Sequence, residues 1–165
     1  MKTVLWMVAG AALLCAGSFT GAQAQSEAHV ISKLQEAAWG PAPPMLPRGA
    51  EIAVLAGNPM ASGPYTLRLK FPANYAIPAH SHPTDENVVV VTGALTFGMG
   101  DRLEKGAGTN KTLESGGFAL MPANMNHYAY TTGRETTIVL YGQGPVEFKY
   151  VNPADDPRTA GSGGK

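Results

Sequence analysis

Three histidines in this chain stand where they could act together: His80 and His82 in His80-Ser81-His82, and His127 in a later segment. Strand side chains alternate faces, so residues two apart point the same way. On a strand, therefore, an H-x-H pair presents two imidazoles side by side. Pro83-Thr84-Asp85 bends the chain after this pair, and Glu86 opens the next apolar run. His127 begins another such run just after Pro122-Ala123-Asn124. Three imidazole nitrogens and one carboxylate oxygen suit a divalent ion: iron, manganese, zinc, nickel or copper. They leave coordination positions open, the pattern of a catalytic or ligand-binding site, whereas structural sites tend to be closed. A lone histidine is ordinarily a surface or packed residue, and His29 is read that way. An H-x-H pair alone is weak; Glu86, His127 and the intervening turn residues carry the case.

The surrounding elements must hold these side chains still. Short apolar runs recur between turn clusters at 52–56, 65–71, 76–80, 86–91, 94–99, 118–121, 127–130, 136–141 and 146–151. None has a useful helical period, and many short, regularly spaced strands predict an all-β sandwich or small barrel. Residues 39–49 hold several prolines and glycines, which exclude the interior of a regular element. They are read as an extended arm anchored by Trp39 and Leu46. A short helix, or an unstructured leader, is expected over 26–38. The glycine- and charge-rich stretch 98–110 predicts a mobile loop, and residues 153–165 a flexible tail.

Lys2, an apolar run over 4–16 and the small residues ending Ala22-Gln23-Ala24 have the form of a secretory signal peptide. Cleavage is expected after Ala24 and location in the periplasm or outside the cell. The rest divides into an arm over 25–50, a domain over 51–152 and the tail. Lys2 leaves with the leader, so 12 basic against 12 acidic residues become 11 against 12. That near-neutral balance gives no reason to expect nucleic acid or an anionic membrane as partner. Cys15, the single cysteine, also leaves, so no disulfide supports the mature core. No later apolar run is long enough to be a membrane span.

The segment 72–93, PANYAIPAHSHPTDENVVVVTG, resembles the first motif of the cupin superfamily, with His80, His82, Glu86 and Gly93 at the matching positions. The segment 116–131, GGFALMPANMNHYAYT, resembles the second, through Gly116, Pro122 and His127. Two family glycines are replaced by Asn74 and Asn124, and asparagine is the side chain that best tolerates positive φ. Thr131 replaces an asparagine that often closes the second motif. The resemblance implies a single-domain, jelly-roll β-barrel that binds one metal through His80, His82, Glu86 and His127. It also implies a homodimer, as small cupins often are.

Alternation then assigns the pocket. Tyr65, Leu67, Leu69 and Phe71 should face inward, with Arg68 and Lys70 outward; Val88, Val90 and Thr92 should share the face of Glu86. Leu95, Phe97 and Met99 form another inward set, and Met121 and Met125 read as core filler. Tyr75, Tyr128 and Tyr130 should face out, as should Val89 and Val91. Tyr65, Val88, Val90 and Phe97 are thus the pocket candidates, and Glu86 is the candidate proton carrier. Such a greasy cavity suits a small neutral or aromatic molecule. The expected function is a metal-dependent, dioxygenase-like oxidoreductase. The alternatives are a metal-dependent lyase or isomerase, or a non-catalytic module binding or sensing a metal or small ligand.

Overall fold

The computed structural model describes residue 33 and residues 36–159. The leader expected over 1–24, and nearly all of the helix expected over 26–38, lie outside the described residues. The strands are β1 (Gly40–Pro41), β2 (Glu51–Ala56), β3 (Gly63–Phe71), β4 (Ala76–Ser81), β5 (Glu86–Thr92) and β6 (Ala94–Met99). They continue as β7 (Lys111–Glu114), β8 (Phe118–Met121), β9 (His127–Tyr130), β10 (Thr136–Gly144) and β11 (Lys149–Tyr150). They form two antiparallel sheets, ordered β1-β2-β3-β10-β5-β8 and β11-β4-β9-β6-β7. This is the all-β architecture that the spacing of short runs implies, in the jelly-roll form that the resemblance implies. The core lies between the sheets, from Leu67, Leu69 and Phe71 of β3 to Leu95 and Phe97 of β6.

β3 follows strict alternation: Tyr65, Leu67, Leu69 and Phe71 are buried, while Arg68 and Lys70 are only partly covered. Lys70 pairs with Glu51 at 2.9 Å and lies over the Trp39 ring at 4.4 Å. β4 breaks alternation. Ile77 pairs with Ala129 and His80 with His127, so β4 spends three residue steps where β9 spends two. That extra residue is a bulge, and a one-residue shift exchanges the two faces. Tyr75 therefore faces inward, against expectation, and stacks on Phe71 at 5.1 Å. Beyond the bulge His80 and His82 are buried as well. A similar slip in β5, where Thr92 and Val90 oppose the successive residues Thr137 and Ile138, leaves Thr92 exposed rather than inward. Met99 and Met125, expected inside, are also exposed.

Both asparagines that replace glycine have positive φ, 59° at Asn74 and 61° at Asn124. Asn74 N donates to Thr132 O at 2.8 Å, and Thr131 Oγ1 accepts from Tyr75 N at 2.9 Å. Thr131 is thus the tie between the turn before β4 and the end of β9. At Gly93, φ is 81° and a Cβ would lie 2.4 Å from Glu135 O, so no other residue fits.

Tyr128 and Tyr130 stand outside the inner core, as expected of outward residues, and are nonetheless buried. The stretch 98–110, expected to be mobile, folds back over them. Tyr128 Oη donates to Asn110 Oδ1 at 2.8 Å, Asn110 Nδ2 donates to Tyr130 Oη at 3.3 Å, and Lys105 Nζ sits 5.5 Å from the Tyr130 ring. Directly after it comes β7, a short strand too polar to show as an apolar run; charged residues are typical of such sheet edges. The tail also begins later than expected: Pro153–Asp155 forms a 3-10 turn, and Arg158 binds Asp156 and Phe148 O.

Gly98 pairs with Tyr128 across β6 and β9, and a Cβ there would come within 2.1 Å of the Tyr128 ring. Gly98→Ala is therefore expected to cost about 1–3 kcal/mol by overpacking. Urea unfolding checks this; unchanged stability would mean that the ring does not rest on that glycine.

Candidate metal centre

The chain delivers its polar side chains to the interior from both sheets. His80 lies on β4, His82 just beyond its end, and His127 directly opposite His80 on β9. Residues 83–85 carry the chain across to the other sheet, where Glu86 opens β5. Two hydrogen bonds fasten this crossing to the turn before His127: Asn124 N donates to His82 O at 2.7 Å and Ala123 N to Asp85 Oδ1 at 2.8 Å. All four side chains are buried. One ring nitrogen from each histidine lies within 4.8 Å of the others. Glu86 Oε1 is 3.5 Å from His82 Nε2, and Glu86 Oε2 is 4.0 Å from His127 Nε2.

The outer nitrogen of every ring is already engaged. His80 Nδ1–H donates to Pro78 O at 2.7 Å, His82 Nδ1–H to Glu147 O at 2.7 Å, and His127 Nδ1–H to Met125 O at 2.9 Å. A carbonyl only accepts, so these bonds fix the tautomer and leave Nε2 as a lone-pair donor. Burial lowers the proton affinity of all three rings, of His80 furthest, where His127 and His82 add to the effect. Burial also raises Glu86 to about 7, with His127 opposing. His82 Nε2 is buried without a hydrogen-bond partner. Neutral rings with converging lone pairs, one of them unsatisfied, fit a metal cation, and bonds from Nδ1 to backbone carbonyls are the usual support of such ligands. The three buried histidines can hold a metal ion.

The space beside them is small. A cavity of about 20 Å³ touches His80, Glu86 and His127, with Val88, Phe97 and Phe148 among its apolar walls. That is room for about one water molecule. Of the pocket candidates, Val88 and Phe97 line it. Val90 is buried in the core away from it, and Tyr65 lines a separate groove, with Asp85 and Gly142. Burial, with Glu86 nearby, pushes the Tyr65 phenol above its ordinary range, so it stays protonated.

Phe148 and Leu46 complete the wall. Phe148 stacks on His80 at 4.6 Å and meets His82 edge-on at 4.5 Å. The alternation of Phe148 and Tyr150 in the last apolar run was its one sequence signal. Leu46 comes from the arm and is buried, as expected of an anchor; its place beside the histidines has no periodicity to announce it.

The family model described as "ChrR Cupin-like domain" matches residues 27–147, well over half of the chain. No curated protein matches by sequence. Among solved structures, the chain is similar to the polyketide cyclase RemF from Streptomyces resistomycificus, at 16% identity over 66% of this chain and 75% of that one, TM-score 0.55. It is also similar to an RmlC-like cupin from Shewanella frigidimarina, at 14% identity over 70% and 91%, TM-score 0.53. KdgF from Halomonas sp. is similar at 17% identity over 70% and 94%, TM-score 0.51. Identities this low establish shared fold and leave activity open. The family match and these shared folds agree: the chain belongs to the cupin superfamily, in its ChrR cupin-like family.

Proposed function

We propose that this is an exported, metal-dependent oxidoreductase of dioxygenase type, holding one divalent ion through His80, His82, Glu86 and His127 and acting on a small neutral molecule. The observation that carries this reading is the unsatisfied, buried His82 Nε2 among two further imidazoles whose Nδ1 atoms are all engaged. When bound, the ion supplies Lewis acidity and, if it is iron, manganese or copper, a redox partner for a ligand. The three rings hold it in one orientation. Glu86 can hold or release a proton at its carboxylate, while Val88, Phe97 and Phe148 keep water out. The leader-like segment 1–24 supports export. The small cavity favours a second reading, a non-catalytic module that senses or sequesters a metal or small ligand.

The chain purified from the periplasmic fraction, without chelator or histidine tag, should begin at residue 25 and carry nearly one metal ion, read by mass spectrometry. His82→Ala and His127→Ala should weaken binding about 100-fold or more, beyond the loss usual for supporting residues. Iron or manganese with oxygen consumption would favour the oxidoreductase, and tight zinc without turnover the sensor. A parent protein that takes up no ion from a panel would refute the oxidoreductase and the metal sensor.

Proton competition gives a second test. Glu86, raised to about 7, must lose its proton to bind metal, whereas the imidazoles are neutral across that window. Zinc affinity should therefore fall about tenfold per unit as pH drops from about 7 to about 6, and level off above 7. Glu86→Gln should flatten that slope. A parent affinity independent of pH there would remove Glu86 from the ligand set.

The homodimer belongs to this reading too. Phe118 and Leu120 are exposed on edge strand β8, with Tyr141 exposed and Val89 half-buried on the neighbouring strands of the sheet. Such a face, continued to an open edge, suits pairing with a second copy. Phe118→Lys combined with Leu120→Lys should convert dimer to monomer in sedimentation velocity; a monomeric parent would overturn this.

A further inference from the structure

A second, outer cavity of about 40 Å³ lies against the metal-centre cavity. Its walls include Met45 from the arm, Met60 from the turn after β2, and Val146. Leu46, Leu69, Leu140, Phe148 and Glu86 border both cavities. The two spaces are thus separated by apolar side chains and meet at one carboxylate.

These partitions differ in their freedom. Phe148 is wedged against His80 and His82 by its ring contacts, and Arg158 Nη2 donates to its carbonyl at 2.9 Å. Leu46 has no ring to stack. The arm on either side of it is pinned: Tyr150 Oη donates to Met45 O at 2.7 Å, and Tyr75 Oη donates to Pro47 O. Leu69 and Leu140 sit on the paired strands β3 and β10, whereas Leu46 lies outside the sheets, so of these three leucines it is the one whose rotamer change would disturb neither sheet nor arm. Among the described residues, no lysine or arginine lines either cavity, and Glu86 is the one charged group on the outer wall.

We propose that the two cavities are halves of one binding site for a small uncharged molecule with an apolar body and a single hydrogen-bonding end. The end lies against Glu86, the body occupies the outer cavity, and Leu46 is the movable partition. This names the ligand class for the metal centre and rests on that reading, from which it takes its polar anchor. Among the described lining residues an anion would find no cationic side chain and would meet the Glu86 carboxylate. A cation would have only a carboxylate already turned toward two histidines. The inner space admits little more than a polar terminus, so the apolar part must lie on the side of Met45, Met60 and Val146.

Methionine methyl NMR tests this directly. Met45 and Met60 line the outer cavity, while Met99 and Met125 lie outside both and serve as references. 1-Butanol, added to zinc-treated and metal-free protein, should shift the Met45 and Met60 methyls saturably and leave the references unmoved. In the metal-free protein, butyrate and butylammonium should not. Leu46→Ala, which joins the cavities, should tighten butanol binding about tenfold by burying more of its chain. Val146→Phe should abolish the shifts without changing metal content. No saturable shift in either parent or Leu46→Ala, shifts equal to those of the references, or an equal response of the metal-free protein to butyrate would each overturn the proposal. Zinc uptake is measured in the same samples. Shifts without metal would keep the ligand site and discard the centre, and metal without shifts would do the reverse.

Discussion

Burying three imidazoles against one another is unfavourable unless something answers their lone pairs, and the rest of this structure is organised around that constraint. Each ring spends its Nδ1 proton on a backbone carbonyl, so none can turn an N–H toward its neighbours. The result is a patch of negative potential inside an apolar barrel, with a carboxylate from the opposite sheet facing it. A solvated surface could carry such a patch at little cost. Here burial suppresses ring protonation, which leaves an external cation as the natural means of neutralisation.

The barrel supplies what this arrangement needs by departing from regularity at chosen places. The bulge in β4 lets Tyr75 and Ile77 face the core on one side of it and His80 and His82 on the other. Without the extra residue, either the core or the pair of imidazoles would be turned to the outer surface. Positive φ at Asn124 shapes the turn whose amides grip His82 O and Asp85, holding the His127 segment against the crossing that carries Glu86. The outer tyrosines and the 98–110 stretch then cover β9 from behind.

Much of this was legible in the residues themselves. The alternation of β3, the turn residues and the H-x-H spacing follow from a two-residue period and are local properties. The inward position of Tyr75 was not legible, because a bulge is one residue of slip and leaves no mark in composition. The burial of Tyr128 and Tyr130 depends on a glycine-rich loop returning to them, and its grip consists of a few side-chain bonds. Phe148 and Leu46 are ordinary apolar residues in sequence. Their place beside the histidines is a fact of topology, fixed by where the arm and the last strands close the barrel.

The carbonyls that orient the rings are not equally distant along the chain. His80 and His127 each rely on the residue two positions earlier, so their orientation is settled within their own strand ends. His82 relies on Glu147, 65 residues later, and its ring also rests against Phe148. The cluster is therefore completed only when the last part of the barrel has closed. A nascent chain emerging in order has two oriented donors and a third still free to rotate until its final strands arrive. The readiness of the cluster for a metal is thereby coupled to completion of the fold, so a chain stalled short of residue 147 would lack the finished cage.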